Sequence, residues 1–233
     1  RSTKNLPYFH LSQYYRHMKI GVFDSGIGGE TLVQSLQKTF PDANIMSVND
    51  HEHLPYGDRT KQEIIRLTDA CIQPLFDAKC DVIVLACNTA TAHAIETLRA
   101  KYPDQKFVGI EPMIKPAAAL TKSCIIAVCA TPATLASERY HHLIKEYGAH
   151  LEIIEPDCSQ WAWWIENNQV NRLHVEQTID DVCDRGADVI ILGCTHYHWI
   201  KDLIIELADG RAEVIEPSEA IGRRVKYLLE EQL

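Results

Sequence analysis

Short apolar runs and longer amphipathic stretches alternate along the chain. KIGVFD (from Lys19), NIMSVND (from Asn44), DVIVLAC (from Asp81) and KFVGI (from Lys106) have the length and β-branched content of buried strands. Between them, ETLVQSLQKTF, the stretch from about Lys61 to Ala78, and TATAHAIETLRAKY space their apolar residues as helices do. The second half continues with strands at CIIAVCA, HLEIIEP, DVIILGC and AEVIEP. Helices are expected around LASERYHHLIKEYG, across residues 160–185, over HWIKDLIIELA and from Ser218. Strands separated by helices of this length predict parallel sheets flanked by helices, an α/β fold.

Two of the predicted strands run into closely similar sequence: DVIVLACNTATA from Asp81 and DVIILGCTHYHW from Asp188. The near-copy predicts two similar lobes, residues 18–113 and 114–215, divided near residues 111–118. The helix over 216–233 is expected to cross back to the first lobe. Open parallel sheets bind ligands at the carboxyl ends of their strands. Cys87 and Cys194 both occupy such ends, so the lobes are expected to present the two thiols to one cleft.

Residues 1–17 are polar and aromatic without periodicity. Met18 reads as the natural start, so that segment is set aside as a leader or remnant outside the fold. The 233 residues carry a net charge of -9 and no Lys/Arg-rich block. That disfavours a nucleic-acid surface and a polybasic membrane patch. No apolar run approaches the roughly 20 residues of a membrane span.

The 8 cysteines need not be staples in a chain this long, and nothing marks it for export, so a cytoplasmic protein with free thiols is expected. Cys71, Cys80, Cys124, Cys129 and Cys183 read as small buried hydrophobes. Cys124 and Cys129 are expected on opposite faces of one strand. No C-x-x-C pair or His/Cys cluster suggests a metal. His51 and His53 are read as solvated loop residues, His141 and His142 as surface residues of a helix.

Asp24-Ser25-Gly26-Ile27-Gly28-Gly29 links the first strand to a helix. It reads either as a plain turn or as a backbone cradle for a small anion such as a carboxylate. Cys87-Asn88-Thr89 and Cys194-Thr195-His196 say more. A thiol in the first turn of a helix is expected to ionise more readily, and its neighbours supply donors for a bound carboxylate or amino group. Neither half shows a base and orienting group of the hydrolase kind. Two thiols on opposite sides of one carbon could remove a proton from one face and return it to the other, which is racemisation. The alternative is a pair of structural cysteines in a duplicated fold.

FDSGIGG, LPYGDR, LACNTATA, GIEP and LGCTHY, in this order, closely resemble the cofactor-independent glutamate racemases of the aspartate/glutamate racemase superfamily. The resemblance runs from about Met18 to the C-terminus. It implies two pseudo-twofold-related lobes with the active site between them, no metal, pyridoxal or flavin, and a small-molecule substrate, with a homodimer as the frequent assembly. Cys87 would exchange the α-proton on the D-glutamate face, assisted by Asp24. Cys194 would do so on the L-glutamate face, assisted by His196, with Glu166 in support. Ser25, Pro55, Tyr56 and Gly57 match positions that hold substrate, as do Asn88, Thr89 and Thr195. Thr131 and Thr134 match a further substrate loop more loosely. The implied role is supply of D-glutamate for bacterial peptidoglycan.

The chain also departs from the family pattern. A proline-bearing segment is replaced by Cys158-Ser159-Gln160-Trp161-Ala162-Trp163-Trp164-Ile165-Glu166, whose tryptophans suit a core, a lid or a subunit interface. Asn49-Asp50 stands for the family's Gly-Asp, and His198 for a proline. Other readings therefore stay open: an aspartate or broad-specificity racemase, a related diacid isomerase or decarboxylase, or a non-catalytic binding module.

Overall fold

The structure is a computed structural model that describes residues 15–231. Its first sheet is built from β1 (Lys19–Asp24), β2 (Asn44–Asn49), β3 (Val82–Leu85) and β4 (Lys106–Gly109) in the order β2-β1-β3-β4. A second sheet holds β5 (Ile125–Ala130), β6 (Glu152–Ile154), β7 (Val189–Gly193) and β8 (Glu213–Ile215) in the order β6-β5-β7-β8. Every pairing is parallel. The two orders correspond strand for strand, so β3 and β7, the near-copies, hold the same place in their sheets. The α/β expectation holds.

The helices are α1 (Gly29–Thr39), α2 (Lys61–Cys71), α3 (Gln73–Asp77), α4 (Asn88–Lys101), α5 (Ile114–Leu120), α6 (Pro132–Leu135) and α7 (Glu138–Leu143). They continue with α8 (Trp161–Glu166), α9 (Arg172–Asp184), α10 (Lys201–Ala208) and α11 (Ser218–Glu230). None is long and apolar enough to cross a membrane. Ile221, Val225 and Leu229 of α11 pack with Ile20, Val82 and Val84, so the last helix covers the first sheet.

The shared acidic residue of the near-copies ties strands together. Asp81 accepts from the Lys19 backbone N–H at 2.7 Å, and Asp188 from those of Lys122 and Ser123 at 2.6 and 2.8 Å. Each carboxylate thus secures the start of the neighbouring central strand.

Several boundaries differ from the sequence reading. The single helix expected to Ala78 breaks at Ile72, because Pro74 has no N–H to donate and is tolerated only in the first turn of a new helix. The helical stretch across residues 160–185 is split by residues 167–171, where Asn168 takes φ 53°. The helix expected around LASERYHHLIKEYG is α7 running into a π-turn at Ile144–Gly148, with the separate short α6 before it. Cys124 lies before β5 with φ 61° and is exposed, so it is neither a strand residue nor a buried hydrophobe. Cys80 and Cys129 are buried, and Cys71 and Cys183 are partly buried.

The tryptophans divide their roles. Trp161 is buried against Tyr197 and donates to His174 Nδ1 at 3.2 Å, while Trp164 packs on the same core. Trp163 is 49% exposed. Residues 1–14 of the segment set aside as a leader lie outside the described residues. Tyr15, however, meets Phe40 edge-on at 5.3 Å and donates to Glu230 at 2.6 Å, so it packs with the fold.

Candidate active site

Both near-copied strands end on a buried cysteine, and both thiols line one cavity of about 400 Å³. Ser25, Asn88, Thr89 and Thr195 add polar groups to its wall. Pro55, Tyr56 and Gly57 come from the loop after β2, and Thr131 from the end of β5. Ser159, Gln160 and Trp163 close one side. No local pattern singles out Ser159 and Gln160, and only the unusual tryptophans mark the segment that bears them.

Three predicted site residues stand behind the wall. Asp24 accepts from the Gly26 N–H and the Thr195 hydroxyl, both at 2.8 Å. Glu166 reaches the cavity only through His196. Thr134 is buried and bonds to Thr89 and Thr131 hydroxyls at 3.3 and 3.0 Å, so it positions wall residues rather than forming the wall.

The two thiols have unlike surroundings. Cys87 caps the start of α4, its sulfur accepting from the Ala90 N–H at 3.4 Å and the Ser25 hydroxyl at 3.3 Å. Burial pushes this thiol up to about 12, and the nearby Asp24 carboxyl adds to the rise. The expected lowering at a helix start therefore does not occur: the two donors favour the thiolate but do not offset desolvation and a neighbouring acid. Cys194 is followed instead by a 3-10 turn, Thr195–Ile200, and its sulfur lies 3.8 Å from His196 Nδ1.

His196 is held on its far side by Glu166, Nε2 to Oε2 at 2.6 Å. Burial opposes a charge on the imidazole, yet Cys194, Glu166 and Asp24 outweigh it and raise its pKa to about 10. Burial likewise opposes the Glu166 charge, but His196, the Ile27 N–H and His51 hold its carboxyl below the usual range. His51 Nδ1 lies 2.9 Å from Glu166 Oε1. His51 is exposed, as expected, but it carries this contact to Glu166 that its polar turn did not suggest, and His53 is bonded to Asp50 at 2.7 Å.

The glycines of the first turn serve this docking. A Cβ on Gly26 would stand 2.7 Å from Glu166 Oε2 and 2.9 Å from His196 Nε2. One on Gly28 would stand 2.6 Å from the Thr195 hydroxyl. The turn does cradle carboxylates, as its sequence allows, but they are the protein's own: Asp24 on the Gly26 N–H and Glu166 on that of Ile27. Among the described residues, no group of three or more His, Cys, Asp or Glu side chains could hold a metal ion.

Asn88 completes the wall. It is buried, and neither its amide oxygen nor its nitrogen has a hydrogen-bond partner. A buried unpaired amide is costly, and polar groups of this kind mark places where a ligand can supply the missing bonds.

An α/β scaffold that presents two thiols, a histidine backed by a glutamate and a set of hydroxyls to one cavity defines an enzyme of acid/base chemistry. Its relatives agree. The Asp/Glu/hydantoin racemase profile matches residues 29–223. A glutamate racemase from Sulfurovum is 37% identical over 92% of this chain and 84% of its own length. The fold superposes on Escherichia coli glutamate racemase, solved in complex with L-glutamate and the activator UDP-MurNAc-ala, with a TM-score of 0.79, 25% identity, and coverage of 91% of this chain and 82% of that one. Glutamate racemase from Francisella tularensis, solved with D-glutamate, gives a TM-score of 0.79 at 29% identity, covering 93% and 82%. The chain belongs to the Asp/Glu/hydantoin racemase family and is an amino-acid racemase.

Proposed function

We propose that the protein interconverts L- and D-glutamate by proton exchange between Cys87 and Cys194, without a cofactor. The observation that carries this reading is the pair of thiols on one cavity, each at the end of the corresponding strand of its sheet. In the L-to-D direction Cys194, beside the His196 imidazolium, takes the α-proton. Cys87, whose environment keeps it a thiol, gives its proton to the opposite face of the same carbon. Asp24 stands behind Cys87, ready to exchange a proton as the thiol is spent and restored.

Thr89 and Thr131 offer hydroxyl donors to the carboxylates, and Asn88 can both donate and accept, while the Ser25 and Thr195 hydroxyls line the same wall with their protons directed to Cys87 and Asp24. Glutamate is favoured because the relatives named above, which the chain covers over most of their length, are glutamate racemases. Supply of D-glutamate for peptidoglycan in the cytoplasm, and a homodimeric state, belong to the same reading.

Circular dichroism of L-glutamate, D-glutamate and L-aspartate in separate samples, repeated in deuterated water, tests it. Both glutamate signals should decay to zero with deuterium entering the α-carbon, and Cys87→Ser and Cys194→Ser should each nearly abolish the decay. Decay of aspartate alone would replace the substrate. A fully active variant would end the two-thiol mechanism.

A further inference from the structure

His51 projects from a 3-10 turn, His51–His53, just past the end of β2. Its ring nitrogen meets Glu166 Oε1 at 2.9 Å, while the other oxygen of that carboxylate meets His196 at 2.6 Å. His196 in turn faces the Cys194 sulfur. Four side chains from three separate segments thus form one line, from a half-exposed imidazole to a buried thiol. Cys87 has no counterpart of this line, since its sulfur is met by Ser25 and the Ala90 N–H.

We infer that His51 is a positioning residue for the Cys194 half of the reaction, fixing the Glu166 carboxylate so that its second oxygen orients His196 against the Cys194 sulfur. The inference rests on the two-thiol reading above for its consequences in turnover, though the positioning itself is a property of the ligand-free protein.

Three observations support it. Glu166 is the last residue of a short helix, α8, and its carboxylate is gripped from outside that helix, by the Ile27 N–H, His196 and His51. The Ile27 bond, at 3.3 Å, is the longest of these and falls on the same oxygen that His196 uses, so His51 alone engages Oε1. Finally, Gly26 leaves no free space on the inner side of the pair, so loss of the outer contact frees Glu166 toward solvent. An orienting group one step removed from the reacting atoms affects rate through the residue it aligns.

Two measurements on the full chain decide the matter. The first needs no substrate: exchange of the His196 Nε2 proton with water, followed by NMR. In His51→Ala the exchange should accelerate on the order of tenfold, the size of one hydrogen bond to a charged group. His51→Asn, whose amide can occupy the place of Nδ1, should restore it.

The second reads turnover with α-deuterated substrates. A racemase must keep equal kcat/KM in both directions, so a fault confined to Cys194 cannot lower one direction only. It redistributes the barriers instead. In His51→Ala the isotope effect on kcat/KM should grow with α-deuterated L-glutamate and shrink toward unity with the D-isomer, a split that general loosening of the fold would not produce. In a Glu166→Gln background the His51→Ala change should add nothing further, because the coupling runs through that carboxylate.

Unchanged exchange in His51→Ala, an unmoved isotope split in an active enzyme, or a full His51 effect in the Glu166→Gln background would each overturn the inference. If the wild-type protein leaves glutamate unchanged while the exchange result holds, the substrate reading falls and the positioning of His196 stands.

Discussion

The Asp24 carboxylate at the end of β1 accepts a 2.8 Å hydrogen bond from the hydroxyl of Thr195, the residue after Cys194. One acid of the first sheet is thereby fastened to the segment that carries the thiol of the second. The same carboxyl contributes to the rise of the Cys87 pKa, after burial. Asp24→Asn keeps a hydrogen-bonding group of the same shape and removes the acid. Its Cys87 should be alkylated by iodoacetamide at lower pH than the wild-type residue, followed by mass spectrometry of the Cys87 peptide. Racemisation should nevertheless drop about a hundredfold, the typical size of a general acid/base contribution. A Cys87 alkylation profile unmoved by the substitution would mean that burial alone sets its reactivity.

Gly26 gives a second test, because the approach of the two halves depends on its missing side chain. The added Cβ of Gly26→Ala would fall 2.7 Å from a carboxylate oxygen and 2.9 Å from a ring nitrogen, both in the partly buried Glu166–His196 pair. Overpacking of this kind costs about 1–3 kcal/mol. The expected outcome is a lower Tm together with a large loss of kcat. Gly57→Ala serves as the control for stability, since its Cβ would meet Thr131 only at 3.5 Å, ordinary van der Waals contact. Thermal unfolding of the two variants side by side checks the contrast.

Asn88 sets stability against function. Its buried amide has no partner in the ligand-free protein, and an unsatisfied buried polar group costs about 1–3 kcal/mol. Asn88→Leu, close in size and apolar, should therefore raise the Tm of the ligand-free protein. The same change should raise KM for glutamate at least tenfold, since Asn88 lines the cavity shared by the two thiols. Calorimetry without ligand and initial rates across substrate concentration test the two halves separately. A lower Tm for Asn88→Leu would show that the amide is satisfied in solution.

The strands and their order of appearance could be read from the chain because buried parallel strands are short, β-branched and flanked by amphipathic helices. The near-copy of DVIVLAC and DVIILGC by itself puts Cys87 and Cys194 at equivalent strand ends. What escaped the sequence were relationships across the cleft. His51 and Glu166 lie far apart in the chain, and no local pattern marks a histidine in a polar turn as the partner of a helix-end glutamate. The raised Cys87 pKa was hidden for a related reason. Its helix-start position is visible in sequence, whereas full burial and the nearness of Asp24 arise only when β1 and β3 pair. Helix breaks at Pro74 and Asn168 were missed because apolar spacing continues across them even though the backbone turns.

The Glu166–His196 pair also predicts how stability varies with pH. His196 is raised from an ordinary 6.5 to about 10, so the folded protein holds this proton more tightly than the unfolded chain does. Its contribution is complete below pH 6.5, where both states are protonated, and is lost as pH rises through about 10. Glu166 is lowered from 4.5, so its contribution is present above that value and is lost as pH falls below it. Cys87, raised from 9.0 to about 12, steepens the alkaline decline from pH 9 upward. His198, kept neutral by burial with its pKa near 4, weakens the fold as pH falls from 6.5 toward 4, and the charge on nearby His196 adds to that lowering. Tm measured from pH 4 to 10 on wild-type and Glu166→Gln proteins separates these effects. The His198 and Cys87 slopes are present in both proteins and largely cancel in the difference. What remains should be greatest between about pH 4.5 and 6.5 and should shrink toward both ends of the range. A difference that stayed constant up to pH 10 would show that the His196 proton is not held by Glu166.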